Sequence, residues 1–358
     1  MLRYHDMKPR LSIIVPVYNA SPYIGHCLET ISRQGLSPDD YEVIMVDDGS
    51  TDDSLDLCRK LSDERNVKIL HRENGGAGRA HVHAGIAEAR GEYVYCLDVD
   101  DGLEDGSLSI LLGQCFDQNL DAVFFGALVE YASEEVKTSD PQDDRYFERR
   151  QSPRVRTGEE LLVEQQQTRN FCAQPCMHIA RRQLLVDNDI RFAEGIVNED
   201  NLYVFHTTIH SQRANVDPHP YYRYVVRPHS VTTETRGTLR QFDAHFYLAR
   251  EFYRDYLAAI DQGKDNLAWA IWTLIDWYLE VAVDALISAD SRMEKPTASD
   301  PVSLSVYHRL FERILDEREA RLAAESQARA EQQLAKTGLR RAAEALFRKT
   351  KRASGGHR

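Results

Sequence analysis

The stretch Tyr93–Asp101, YVYCLDVDD, begins as a strand and ends in three carboxylates. Successive side chains of an extended segment alternate, so Val94, Cys96, Asp98 and Asp100 are expected on one face. The apolar run reads as a buried strand, with the acids where it leaves the sheet. In open parallel α/β sheets, ligands bind at that carboxyl end. Acids at i and i+2, with a third directly after, form an oxygen-rich site suited to a hard divalent cation such as Mg2+ or Mn2+. Turn chemistry accounts for the same residues, with Asp101-Gly102 as a turn and Asp105 as the cap of the next helix. Position alone does not choose between the two.

The elements that must position these acids follow from hydrophobic patterning. Leu11–Val17 (LSIIVPV) is a continuous, β-branched run, the pattern of a strand buried on both faces. Ser21 and Pro22 open a helix to about Gln34, Ser as cap and Pro at its first position. Tyr41–Val46 reads as the second strand, Ser54–Ser62 as a helix and Val67–Leu70 as a short third strand. A glycine loop at 75–78 leads into a helix ending near Arg90, then the acidic strand. This alternation predicts an α/β fold, a doubly wound and mostly parallel sheet. Asp121–Tyr131 adds a strand, and the polar stretch Ser133–Arg156 reads as a surface excursion. Further on come a helix at Gly158–Gln167, a strand at Phe171–Ala180, a helix at Val197–His210 and an aromatic strand at Pro220–Val226. From Thr238 the chain is helical almost throughout.

With 358 residues, 42% hydrophobic and 28% charged, the chain has the composition of a globular protein with a real core. A net charge of −13 argues against general nucleic-acid binding. The six cysteines lie in apolar runs and read as reduced core thiols. Cys172 and Cys176 (CAQPC) are spaced one residue too far for a CxxC motif. The N-terminus has no apolar signal core. Leu267–Ser288, the most hydrophobic helix candidate, carries Asp276, Glu280 and Asp284 at four-residue steps, which marks an amphipathic helix rather than a transmembrane segment. A cytoplasmic protein is expected.

Three loops then leave three strand ends. The first holds Pro16, Val17, Tyr18 and Asn19; the second Asp47, Asp48, Gly49 and Ser50; the third Asp98 to Asp101. An aromatic residue, two acidic loops and the glycine loop on one sheet edge suit a nucleotide bound with a metal. Tyr18 can stack on a base, an Asp of the second loop can accept from an imide N–H, and the glycine loop admits an anionic ligand. There is no GxxxxGK[ST], and Asn74-Gly75-Gly76-Ala77-Gly78 lacks the setting of a dinucleotide fingerprint.

In that order, IIVPVYNASPYIGHCLETISRQ, VIMVDDGSTDDS, ENGGAG and GEYVYCLDVDD resemble the family 2 glycosyltransferases, nucleotide-sugar enzymes of the GT-A fold, over roughly residues 10–131. The resemblance implies that Asp98-Val99-Asp100 is the DxD motif for metal (Mn2+ or Mg2+) and diphosphate. It makes Asp47 the uracil contact of a UDP-sugar donor, with Tyr18 stacking and Asn74 near the base. FAEGIVNEDNLYVF matches the family's Glu-Asp pair, which carries the catalytic base to Asp200, with Glu199 in support. The local alternative is a helix N-terminus favouring acids at the positive end of its dipole. YYRYVVRPHSVTT resembles the segment after the catalytic helix, where Arg227, His229 and Ser230 can close over the diphosphate, His229 joining the metal. One departure concerns the run after the glycine loop, where relatives place an Arg on the diphosphate; here Arg79 or His81 takes that role. No QxxRW motif occurs, so a processive synthase is not expected.

The organisation this implies is a GT-A domain over residues 8–235, a helical region over 236–335 and a basic tail over 336–358. The expected function is metal-dependent, inverting transfer of one sugar to a glycan or lipid-linked acceptor in bacterial cell-surface glycan synthesis. The alternative is an inactive transferase-like scaffold. Gly338–Arg352 puts Leu339, Ala342, Ala343, Leu346 and Phe347 at helical spacing among basic residues, a pattern that can lie on an anionic membrane or join copies of the chain.

Overall fold

The computed structural model describes residues 8–62, 67–73, 82–142, 144–193, 195–228 and 235–292. Met1–Ser291 form one compact unit and Arg292–Arg358 a second. Apart from Arg292, the second unit lies outside the described residues, as do the glycine loop and the basic tail.

The sheet has eight strands: β1 (Leu11–Val17), β2 (Tyr41–Asp47), β3 (Val67–His71), β4 (Tyr93–Cys96), β5 (Gly102–Leu103), β6 (Ala122–Tyr131), β7 (His178–Arg181) and β8 (Ala214–Val226), in the order β3-β2-β1-β4-β7-β6-β8-β5. The first four run parallel, β7 is antiparallel to β4 and β6, and β8 is parallel to β6. Side-chain alternation divides the core between the two faces. Ile13, Val15, Tyr93 and Tyr95 join one apolar cluster, Ile14, Val94 and Cys96 the other. The helices α1 (Ile24–Ser32), α2 (Ser54–Ser62) and α4 (Ser107–Asp117) cover the first face. The second is covered by α3 (Val82–Glu88), α6 (Gly158–Gln167), α7 (Arg182–Asp187) and α8 (Asp200–His210). Burial on both faces explains why β1, β2 and β4 read as unbroken apolar runs.

Most expected elements are present, and the differences have local causes. The first helix starts at Ile24 because Ser21 N–H is drawn to Asp52 Oδ2 (3.3 Å) and Tyr23 N–H to Ala20 O (2.9 Å), which holds Ser21-Pro22 in a turn. The acidic strand ends at Cys96, and Asp101 N–H donates to Asp98 O (3.2 Å), so Asp98–Asp101 form a turn rather than one strand face. Gly106, at φ 80°, precedes α4 in place of Asp105. The segment 133–156 is no loose insert. It contains α5 (Glu134–Ser139), buries Phe147, and gives Phe147 O and the Arg149 Nε–H to Ala127 N–H (3.1 Å) and Phe125 O (2.9 Å) where β6 and β8 shift register. Before β7, a 3-10 turn at Pro175–Met177 replaces the early part of the expected strand, since Pro175 has no N–H for a ladder. Asn198, left-handed at φ 57°, delays α8 to Asp200. The helical region is α9 (Leu239–Asp261), capped by Thr238, and α10 (Asp265–Arg292), with Glu280 and Asp284 exposed. No helix among the described residues is long and apolar enough to cross a membrane. All six cysteines are buried and free.

Candidate active site

Because β1, β2 and β4 are parallel, their carboxyl ends deliver the three loops to one edge. The first two are stitched together. Asn19, at φ 46°, donates its N–H to Ser50 Oγ (3.0 Å) and accepts from Thr51 N–H at Oδ1 (2.8 Å), while Ala20 N–H donates to Ser54 Oγ (2.8 Å). A short polar side chain tolerates that left-handed backbone and bonds locally, as asparagine does in turns. Pro16 is half-buried in β1. Tyr18, 50% exposed, presents its ring to solvent beside this seam. Asp47 is fully buried at the end of β2, with Oδ2 2.7 Å from His71 Nδ1 and Oδ1 accepting from Ser50 N–H (3.3 Å).

The acidic turn divides its three carboxylates. Asp98 is half-buried. Asp100 meets the Arg227 guanidinium, Nη1 to Oδ2 at 2.5 Å, and Arg227 also donates to Asp100 O. Asp101 is buried and committed to β8: Tyr222 Oη–H donates to its Oδ2 at 2.5 Å, and Val225 N–H and Arg227 Nη2–H to its Oδ1 at 2.8 and 3.3 Å. The third acid therefore anchors β8 rather than completing an oxygen cage. Burial first, then the charges of Asp98 and Asp100, pushes Asp101 up to about 8. Asp100 is raised by desolvation and then by Asp98, with Arg227 opposing. Arg227 lies over the Tyr23 ring, 4.6 Å from its centroid, which ties the turn before α1 to the acidic turn.

Asp200 opens α8 and is buried, with Glu199 half-buried before it. Tyr203, one turn on, is buried in the same apolar cluster as Cys96, the last residue of β4. The helix that starts at Asp200 and the turn that starts after Cys96 are thus fixed to one point of the sheet. Asn74, Arg79, His81, His229 and Ser230 lie outside the described residues. Sequence reasoning did not single out His71 or Tyr23: a lone His on a strand end and a Tyr in a Ser-Pro-Tyr turn carry no signal until the loops are brought together.

Residues 12–187 match the family described as Glycosyl transferase family 2. That span, just under half of the chain, is similar to glycosyl transferase family 2. Similar proteins include the uncharacterized glycosyltransferases YibD of Escherichia coli (28% identical, covering 62% of this chain and 63% of YibD) and EpsJ of Bacillus subtilis (31%, covering 63% and 64%). The chain thus spans just under two thirds of the length of these curated relatives. A shorter match joins it to the Staphylococcus aureus poly(ribitol-phosphate) beta-N-acetylglucosaminyltransferase TarS, 34% identical over 28% of this chain and 18% of TarS. The fold is that of S. aureus TarS 1-349, solved in complex with UDP-GlcNAc (TM-score 0.55, 22% identity, 68% of this chain and 66% of that one). It is also that of a mannosyltransferase of Pyrobaculum calidifontis solved with GDP-Man and Mn2+ (TM-score 0.51, 19% identity, 84% and 81%). The eight-stranded sheet with helices on both faces is therefore the GT-A fold expected from the sequence.

The acidic turn offers two partly exposed carboxylates, Asp98 and Asp100, to a divalent cation. No group of three or more His, Cys, Asp and Glu able to hold a metal occurs among the described residues. Mg2+ is commonly held by one or two carboxylates together with substrate phosphates, not by an all-protein cage. Asp98 and Asp100 meet that requirement, and the mutual repulsion that raises Asp100 is relieved by a cation.

Proposed function

We propose that this chain is a metal-dependent, inverting glycosyltransferase that moves one sugar from a nucleotide diphosphate donor, a UDP-sugar, to an acceptor hydroxyl. The observation that carries this reading is the turn Asp98–Asp101 at the carboxyl end of β4, joined through Arg227 and Tyr23 to the loops after β1 and β2. The TarS likeness supports a cell-surface glycan, or a lipid-linked precursor of one, as acceptor. In the proposed organisation residues 8–235 form the transferase domain, 236–335 a helical region and 336–358 a basic tail. The protein works in the cytoplasm or at the inner face of the membrane.

The exposed Tyr18 ring is a stacking platform for the base beside the Asn19–Thr51 seam. Asp47 accepts from the imide N–H while His71 holds its other oxygen. Asp98 and Asp100 hold the cation, which when bound neutralises charge on the departing diphosphate. Arg227 carries a planar fork of donors suited to the same phosphates. Inversion needs one carboxylate on the acceptor hydroxyl, opposite the leaving nucleotide; Asp200 takes that role as general base and Glu199 supports it. A panel of nucleotide sugars assayed for nucleoside diphosphate release, with Mn2+, with Mg2+ and with EDTA, tests the reading. Release from a UDP-sugar that stops in EDTA and returns with metal is expected. No release from any donor favours the scaffold alternative.

A further inference from the structure

Asp200 is held by its neighbour. Asn201 Nδ2 donates to Asp200 Oδ1 at 3.0 Å and to Asn198 O at 2.8 Å, which uses both N–H bonds of the amide. Its Oδ1 accepts from the Tyr278 hydroxyl on α10. Tyr278 in turn packs tilted against Phe252 and His245 of α9, with ring centroids 5.0 and 5.5 Å away. Asp200, Asn201 and Tyr278 are all buried, at 7%, 8% and 1% exposure.

An asparagine amide can turn end for end, and only its partners choose the orientation. Here Asp200 Oδ1 and Asn198 O can only accept, so Nδ2 faces them and Oδ1 faces the Tyr278 hydroxyl on α10. The left-handed Asn198 aims its carbonyl at the second Nδ2–H. We propose that Tyr278 and Asn201 form a positioning relay that fixes the Asp200 carboxylate for deprotonating the acceptor. The proposal rests on reading Asp200 as the base. A donor aimed at a carboxylate favours its charged form and offsets the burial that disfavours it. Burial and the nearby Asp200 charge hold the Tyr278 phenol well above its ordinary value, so it remains a donor throughout the assay range. The relay gives α10, which lies beyond the matched residues 12–187, a direct role at the site.

Two near-isosteric changes in the full chain test this. Tyr278→Phe removes the donor to Asn201 Oδ1 and so loosens the amide that Asn198 O and Asp200 still orient, and Asn201→Asp keeps the shape but replaces the donor with a second carboxylate. Each is checked for folding by thermal melt, for UDP affinity by calorimetry, and for kcat against pH using the panel donor with the fastest diphosphate release. The Asp200 pKa is read separately by 13C-carboxyl NMR, assigned with Asp200→Asn. Both variants should keep UDP affinity and move the Asp200 pKa and the acidic limb of kcat upward, Asn201→Asp the further. At neutral pH kcat should fall ~10-fold, the worth of one hydrogen bond to a charged group. Unshifted pKa and pH profiles in folded variants, with Asp200→Asn inactive, overturn the relay alone. Full turnover in Asp200→Asn overturns the base reading and the relay's catalytic role together.

Discussion

Arg227 holds Asp100 at 2.5 Å while its guanidinium lies over the Tyr23 ring. The cation of this pair is largely buried, at 14% side-chain exposure, and the acid is 43% exposed. One residue thus meets two of the three carboxylates of the acidic turn, Asp100 and Asp101. Arg227→Lys keeps the charge but loses the fork and the stacking. UDP affinity measured by calorimetry should drop ~10-fold or more, since hydrogen bonds to charged groups contribute about 1.5–3 kcal/mol each. An unchanged affinity would assign Arg227 to the fold alone.

Asp100→Asn separates metal binding from nucleotide binding. In EDTA the variant should bind UDP no more weakly than the parent, since losing the carboxylate beside Arg227 removes repulsion from the diphosphate. With Mn2+ present, only the parent should gain affinity, because the second carboxylate available to the ion has become an amide. An equal gain in both proteins rules out Asp100 as a ligand.

The alternation of strands and helices in the first half was legible because buried parallel strands are unbroken apolar runs and their connecting helices are short. Thus Ser54–Ser62 and Gly158–Gln167 match the expected helices residue for residue. Segment 133–156 was not legible, because what holds it is backbone hydrogen bonding at a register shift that no local composition reports. Candidate residues could be picked out where side chains cluster in sequence, as in Asp98–Asp101 and Glu199-Asp200. Their distant partners were not legible: Tyr222 for Asp101, Tyr278 for Asn201 and His71 for Asp47.

His178 gives a pH signature independent of catalysis. It is buried in β7 with its ring against Phe124 and Tyr203, and neither ring nitrogen has a hydrogen-bond partner among the described residues. Burial, and then the nearby Arg149 charge, lower its pKa to about 3. The folded pKa lies below the unfolded value of about 6.5, so the unfolded chain takes up the proton first. This contribution to stability is complete above pH 6.5 and is lost as pH falls toward 3, at about 1.4 kcal/mol per pH unit. Replacing His178 by Leu should flatten the pH dependence of unfolding free energy between pH 4 and 6 by about that slope. Parallel curves for the two proteins would mean His178 is protonated in the fold.

Gly158 and Gly25 should respond in opposite directions to the same substitution. Gly158 opens α6, where its N–H donates to Ser211 O at 2.7 Å, and an added Cβ would lie 1.5 Å from Thr208 O and 2.6 Å from Thr208 C. Those are backbone atoms at the end of α8, so neither a rotamer change nor a small side-chain shift relieves the clash. Gly158→Ala must push α6 off the helix that carries Asp200, at a cost of at least ~1–3 kcal/mol for overpacking. Gly25 lies exposed within α1, and a Cβ there meets nothing within 4 Å. Gly25→Ala should stabilise by about 0.5–1 kcal/mol, since alanine loses less backbone freedom in a helix. Melting both variants against the parent decides the matter: Gly158→Ala should melt several degrees lower and Gly25→Ala slightly higher. A Gly158→Ala protein that melts with the parent would mean α6 and α8 are not packed this closely, and α8 would lose the contact that fixes the end opposite Asp200.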